Sequence, residues 1–151
     1  MEGEANLFAA ELLMPPKKIR TMIGRSGVSL QSLVTMAQEF DVSKEALARA
    51  FVAAHREPVA IILSRNNRVE RFYRHEDFPF LAIASGKPLP LDAFATEPPQ
   101  PGETSESEEA DPETWIGEHD AERTLLLTEQ VIGQRGGYAM TLLQAELDDE
   151  N

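Results

Sequence analysis

The sequence has no cysteine, a single tryptophan and no long apolar run. Without cysteine the chain cannot form disulfide bonds or use thiolate side chains as nucleophiles or metal ligands. No segment approaches the roughly 20 apolar residues that a membrane-crossing helix needs. The first residues carry Glu2 and Glu4 instead of the basic start of a secretory signal. These absences predict a cytoplasmic protein with no membrane segment.

Basic residues are scarce in the last third of the chain. Residues 1–95 hold 12 Lys and Arg side chains against 11 Asp and Glu, a net charge of +1. Residues 96–151 hold 2 against 15, a net charge of −13. Such an acidic surface repels the phosphate backbone of a nucleic acid, so any nucleic-acid contact has to come from residues 1–95.

The sequence also lacks the common patterns of catalytic residues. His55, His75 and His119 are far apart, and none lies in an H-E-x-x-H or similar zinc-binding pattern. The serine-nucleophile pattern G-x-S-x-G is absent as well. We therefore interpret the three histidines as ordinary ones, and the residues by themselves predict no reaction.

Apolar residues at helical spacing predict helices in the first third of the chain. In residues 4–13 and again in 29–40 they recur in steps of three and four, which places them on one helical face. Ser43 is a typical N-cap for a further helix that ends near His55. Residues 1–56 are therefore predicted to form a helical module.

Residues 57–151 show strand periodicity and predict a small mixed or antiparallel sheet domain, so the whole chain is predicted to be α+β. The predicted hairpins are Pro58–Leu63 with Arg68–Tyr73 around Asn66-Asn67, and Leu125–Ile132 with Tyr138–Leu147 around residues 133–137. Between them, residues 96–113 are rich in proline, glutamate and serine, which predicts a disordered acidic loop. Trp115 is expected to return the chain to the core.

The two helices on either side of Asp41-Val42-Ser43 form the outline of a helix-turn-helix. In a DNA-binding version, the first residues of the second helix enter the major groove. The candidate nucleic-acid residues are then Lys44, Arg49 and Arg56, although Glu45 opposes them. The alternatives are a helical hairpin that packs on a neighbouring domain, which we favour, and a protein-docking surface.

The string EGEANLFAAELLMP, residues 2–15, closely resembles the E-x-E-A-N-x-F-A-x-x-L-L-M-P segment of the ImmA/IrrE family of zinc metallopeptidases. These are regulatory proteases that cleave, or act with, transcriptional repressors in stress response and mobile-element control. Ser29–Ala54 resembles the helix-turn-helix-like module that follows in that family, and Ile61–Ser85 looks like the variable C-terminal domain of some members. The resemblance covers most of the chain, and its opening string is the diagnostic part.

The resemblance implies a position for one zinc ligand. In the family, two histidines of H-E-x-x-H and a glutamate of the later E-x-E-A-N helix hold Zn²⁺. Glu2 matches that glutamate, with Glu4 a less favoured match, whereas H-E-x-x-H is absent from this sequence. A catalytic zinc site needs three protein ligands and an open position. We therefore expect an incomplete site, no catalytic residue and no zinc in this chain.

The leading hypothesis is a non-catalytic regulatory module that contacts another protein, such as a transcriptional repressor. A homodimer of the chain is a further expectation. We expect the chain to be either a fragment of a longer peptidase or a short relative that keeps the regulatory part. The first alternative is the C-terminal piece of an active zinc endopeptidase that cleaves a repressor. The second is a helix-turn-helix DNA-binding regulator, which the acidic charge disfavours.

Overall fold

A five-stranded antiparallel sheet organises the computed structural model, which describes residues 17, 20–21, 30–31, 33–35 and 43–148. The elements in chain order are α1 (Lys44–Ala54), β1 (Val59–Arg65), β2 (Arg68–Arg74), β3 (Glu108–Glu109), α2 (Pro112–Trp115), α3 (Glu118–Glu122), β4 (Thr124–Gly133) and β5 (Tyr138–Leu147). Short 3₁₀ turns lie at Phe94–Thr96 and Arg135–Gly137. This architecture confirms the predicted α+β class and its antiparallel sheet.

Helix α1 begins and ends where local chemistry sets its limits. The Ser43 hydroxyl accepts a hydrogen bond from the Ala46 N–H at 3.1 Å, which satisfies one of the free donors of the first turn. At the other end His55 has extended backbone angles, and its N–H donates to the Phe51 carbonyl at 3.0 Å. The predicted Ser43 cap is therefore confirmed.

The helix-turn-helix remains a prediction, because most of its first helix lies outside the described residues. The described residues 30–31 and 33–35 are helical, whereas residues 4–13 and the connection at 41–42 are not described. Among the described residues, no helix is long and apolar enough to cross a membrane.

Both predicted hairpins are confirmed, and a third pairing joins them. Asn66 and Asn67 close the β1–β2 hairpin with positive φ angles of 49° and 64°, which suits a two-residue turn that follows the strand twist. Strands β4 and β5 pair from Thr124 to Gly133. Strands β1 and β5 also pair antiparallel, with Arg65 opposite Tyr138. The sheet order is therefore β2-β1-β5-β4-β3.

Successive side chains of each strand point to opposite faces of the sheet, and apolar side chains are buried on both faces. One face packs against α1 and against Leu30 and Leu33, and the other packs beneath the loops and the two short helices. Sheet residues of the first face include Val59, Ile61, Met140 and Leu142, and those of the second include Ala60, Ile62, Leu127 and Leu143. Trp115 is fully buried on the second face, which confirms the prediction that it returns the chain to the core.

The acidic segment, residues 96–113, differs from the predicted disordered loop. Three backbone N–H groups of the segment donate hydrogen bonds of 2.8 Å to carbonyl oxygens of β4. The pairs are Gly102 with Gly133, Ser105 with Val131 and Ala110 with Leu127. A Cβ on Gly133 would lie 2.0 Å from the Pro99 carbonyl oxygen, so only glycine permits this close approach. The composition suggested disorder because it offers few apolar groups, but backbone hydrogen bonds to β4 hold the segment.

Phe51 is expected to contribute most to the attachment of α1, because its side chain is fully buried between the helix and the sheet. Phe51→Ala should lower the free energy of unfolding by about 3–5 kcal/mol through lost burial and an unfilled cavity. Urea denaturation followed by circular dichroism measures this. The exposed Ala53 on the same helix is the control, since Ala53→Ser should change stability by no more than about 0.5 kcal/mol. Equal effects of the two substitutions would contradict the packing.

Candidate functional site

The predicted zinc-ligand position, Glu2, lies outside the described residues, as does Glu4. Within the described part of the chain, no group of three or more His, Asp or Glu side chains is arranged to hold a metal ion. The described residues therefore do not supply the family's zinc-binding set, and we derive no chemistry through a metal.

Two histidines have local structural contacts at the ends of α1 and β2. His55 Nδ1 accepts a hydrogen bond from the Glu57 N–H at 3.0 Å, and His75 Nδ1 accepts one from the Asp77 N–H at 3.1 Å. Burial lowers the pKa of His55, because the imidazolium form loses its hydration. His119 is exposed on α3. These contacts fix tight turns, and His55 and His75 lie close enough for the charge of His75 to lower the pKa of His55 further.

The structure does not gather the three predicted nucleic-acid residues at one site. Lys44 is the first residue of α1 and Arg56 follows its last turn, so the length of the helix, about 16 Å, separates them. Arg49 lies between them and faces β2, where its Nη2 donates to the Tyr73 hydroxyl at 3.1 Å. Whether these residues contact nucleic acid stays a prediction.

A polar network on the side of α1 attaches the helix to β2. Glu45 Oε1 accepts hydrogen bonds from Arg71 Nη1 at 2.6 Å and from the Tyr73 hydroxyl at 2.7 Å. The Arg49 guanidinium lies 5.1 Å from the centre of the Tyr73 ring and 3.8 Å from Glu45. The hydrogen bond from Tyr73, together with Arg71, lowers the pKa of Glu45. Glu45 thus offsets one of the two positive charges of Arg49 and Arg71, the arginines that it contacts.

Glu129 is a carboxyl group buried within the second face of the sheet. Its Oε2 accepts a hydrogen bond from Trp115 Nε1 at 3.1 Å, and its Oε1 accepts one from the Ala95 N–H at 3.3 Å. Burial raises the pKa of Glu129, and the hydrogen bonds offset this only in part. The side chain therefore connects β4 to α2 and to the 3₁₀ turn at Phe94–Thr96.

The two hairpin turns pack against each other at one end of the sheet. The Asn66 N–H donates to the Gly137 carbonyl at 2.9 Å. A Cβ on Gly137 would lie 2.1 Å from Asn66 Oδ1, and the φ of Gly137 is +80°, so any other residue would be strained and would displace the Asn66 side chain. The Arg65 guanidinium stacks 4.8 Å from the centre of the half-exposed Tyr138 ring. The turns thereby form one continuous surface.

Five exposed basic side chains surround these turns, and we call them the basic end of the sheet. They are Lys44, Arg65, Arg68, Lys87 and Arg135. Among the described residues, none of the five lies within ion-pair distance of a carboxylate, whereas Arg49, Arg71 and Arg123 each do. The opposite end of the sheet carries acidic residues, among them Glu57, Asp77 and Glu146. Arg123 lies among these acidic residues, whereas the basic end collects five cations without a carboxylate of the described residues in ion-pair distance.

A shallow cleft of about 590 Å³ opens beside the basic end. Lys44 of α1 and Arg135 and Tyr138 of the second hairpin line one part of it, and Pro101 of the acidic segment lines another. The cleft is open to solvent and its lining is mixed polar and apolar.

One comparison with known proteins matches the first part of the chain. Residues 1–52 match the model of a peptidase family described as the IrrE N-terminal-like domain. This match confirms the predicted relationship to the ImmA/IrrE zinc metallopeptidase family over that segment. It ends within α1, so the strands of the sheet lie beyond it. A comparison with curated proteins found no match.

The sequence interpretation missed the basic end and Glu129. The basic residues are separated in the chain and become neighbours only when β1 pairs with β5. The burial of Glu129 could have been predicted from the sequence. Leu127, Glu129 and Val131 are every second residue of a predicted strand, so their side chains point to the same face, which is buried.

The buried carboxyl of Glu129 predicts a particular dependence of stability on pH. Because folding raises the pKa of Glu129 above its ordinary value of 4.5, its favourable contribution is complete below pH 4.5 and is lost as the pH rises through the raised value. The stability of the unaltered chain relative to the Glu129→Gln variant should therefore decrease over that range. Urea denaturation followed by Trp115 fluorescence measures both.

Glu109→Gln is the matched control, since Glu109 is exposed on β3 and the substitution removes the same charge. This variant should keep the pH dependence of the unaltered chain. A constant stability difference between the unaltered chain and Glu129→Gln from pH 4 to pH 8 would show that Glu129 does not titrate as proposed.

Proposed function

We propose that this chain is a regulatory protein-interaction module that binds a partner protein, with a transcriptional repressor as the leading candidate. The relationship to ImmA/IrrE proteins over residues 1–52 supports the regulatory context. The observation that carries the proposal is the basic end of the sheet, where exposed cations stand beside an open cleft without carboxylate partners among the described residues.

The surface chemistry supports binding in preference to a purely structural role. Exposed ion pairs contribute little to stability, about 0–1 kcal/mol each, so a fold does not need them. Cations collected around two turns, with no carboxylate of the described residues within ion-pair distance, repel one another and gain when an anionic surface approaches. Arg65 is also held on Tyr138, an arrangement that presents an arginine and an aromatic ring together. Arginine and tyrosine are enriched in protein interfaces.

Two alternatives remain from the same family context. In the first, the chain is part of a zinc endopeptidase that cleaves the repressor, and Glu2 belongs to its metal site. In the second, Lys44, Arg49 and Arg56 contact DNA. The engagement of Arg49 and Arg71 by Glu45 on α1 favours a protein contact over a phosphate backbone.

Purified chain mixed with a transcriptional repressor from the same organism should form a stable complex in which the repressor stays intact. Size-exclusion chromatography with light scattering reports the complex, and mass spectrometry reports repressor integrity. The same light-scattering measurement on the chain alone tests for a homodimer.

Parallel samples with added Zn²⁺ and with EDTA separate the alternatives. Repressor fragments that appear only with Zn²⁺, and disappear in Glu2→Gln, would establish the peptidase and overturn the proposal. Binding of duplex DNA at low salt without any protein complex would support the DNA-binding alternative instead.

A further inference from the structure

The geometry points to the basic end of the sheet as the binding site for an extended, carboxylate-rich peptide segment of the partner protein. This inference rests on the proposed protein-interaction function and names both the surface and the chemistry of the partner. It differs from the earlier nucleic-acid hypothesis in site and ligand, because four of its five cations lie outside α1.

The arginines of this surface are held in position, and most of their N–H donors have no partner among the described residues. Arg65 stacks on Tyr138, and neither Arg65 nor Arg135 makes a side-chain hydrogen bond to another described residue. Arg68 uses one Nη1 bond at 3.1 Å to the Gly86 carbonyl, which holds it at the edge. A guanidinium presents paired N–H donors that match the two oxygens of a carboxylate. Arginine held in place loses less conformational entropy on binding.

The order of the cations sets the length of the ligand. Lys87 lies beside the start of β2, followed across the sheet by Arg68 on β2, Arg65 on β1 and Arg135 in the β4–β5 turn. Neighbouring strands are about 4.8 Å apart, so the row covers roughly 15 Å. An extended peptide rises about 3.3 Å per residue. The row therefore matches about five residues that carry carboxylates.

The surroundings of the basic end favour a short peptide over a nucleic acid. Glu103 lies next to it, since the Glu103 carbonyl accepts a hydrogen bond from the Gly133 N–H, and the rest of the acidic segment continues along β4. A duplex with one charge per about 1.7 Å would extend past the cations and meet these carboxylates. A five-residue segment can end before reaching them.

A second copy of the chain is a poorer occupant. Its acidic segment has the right charge but is bonded along β4 at Gly102, Ser105 and Ala110. These backbone bonds prevent it from extending across the basic end of another molecule. Two copies, each with a net charge of −12, would also repel one another.

The test uses the full chain and a fluorescein-labelled peptide of five alternating glutamate and aspartate residues, with fluorescence anisotropy at 20 mM NaCl. We expect saturable binding that is lost at 500 mM NaCl, because the Debye length is then only a few ångströms and the charges are screened. A peptide of glutamine and asparagine with the same length should not bind. Arg65→Gln/Arg135→Gln should weaken binding about tenfold, since each exposed ion pair contributes roughly a factor of three.

Arg56→Gln/Arg123→Gln is the matched control, because it makes the same change in net charge away from the basic end. This variant should bind the acidic peptide within about a factor of two of the unaltered chain. If both double variants weakened peptide binding equally, net charge alone would explain the effect and the proposed site would be wrong. Should circular dichroism show that Arg65→Gln/Arg135→Gln is unfolded, Lys44→Gln/Lys87→Gln tests the same surface and should weaken binding similarly.

Further outcomes separate the occupants and the two proposals. Tighter binding to an eight-base-pair duplex than to the acidic peptide, lost in Arg65→Gln/Arg135→Gln, would assign the surface to nucleic acid. Concentration-dependent dimers lost in the same variant would assign it to a second copy. A repressor complex that forms equally well with Arg65→Gln/Arg135→Gln would overturn this inference alone. Peptide binding without any partner complex would instead contradict the proposed function.

Discussion

The antiparallel pairing of β1 with β5 is the constraint on which the rest of the structure depends. Each hairpin needs only local turn chemistry, but a hairpin alone has two open edges and little buried surface. Seven residue pairs from Val59–Gln144 to Arg65–Tyr138 make the two hairpins one sheet. This antiparallel register also places both turns at the same end. The two-sided core and the basic end follow from that one pairing.

The two faces of the sheet are closed by different means. Helix α1 covers one face with apolar side chains such as Leu47 and Phe51. Hydrogen bonds from Arg71 and Tyr73 to Glu45 also attach the helix to β2. The other face is covered by segments with little regular structure, which need additional attachment. Glu129 provides it by accepting hydrogen bonds from Trp115 and Ala95. A buried carboxyl is tolerated there because N–H donors compensate part of its lost hydration.

Features encoded by neighbouring residues were predictable from the sequence. The Ser43 cap, the Asn66-Asn67 turn and the anchoring of Trp115 each depend on local pattern, and each is confirmed. The acidic segment was predicted as disordered because composition reports burial and not backbone pairing with β4. The basic end was not predicted because it needs knowledge of which strands pair. The zinc-ligand position at Glu2 and the helix-turn-helix remain predictions, since they fall on residues that the structure does not describe.

Helix α1 relates the family-matching segment to the surface proposed for partner binding. The match ends at residue 52, within α1, while Lys44 at the start of the same helix belongs to the basic end. Glu45, one residue later, bonds to Arg71 and Tyr73 of β2, the strand that begins with Arg68 of the basic end. A peptide bound across Arg68 and Lys44 would therefore contact both elements of this network directly. Because α1 also carries the end of the family-matching segment, a partner bound at the basic end would contact the same helix.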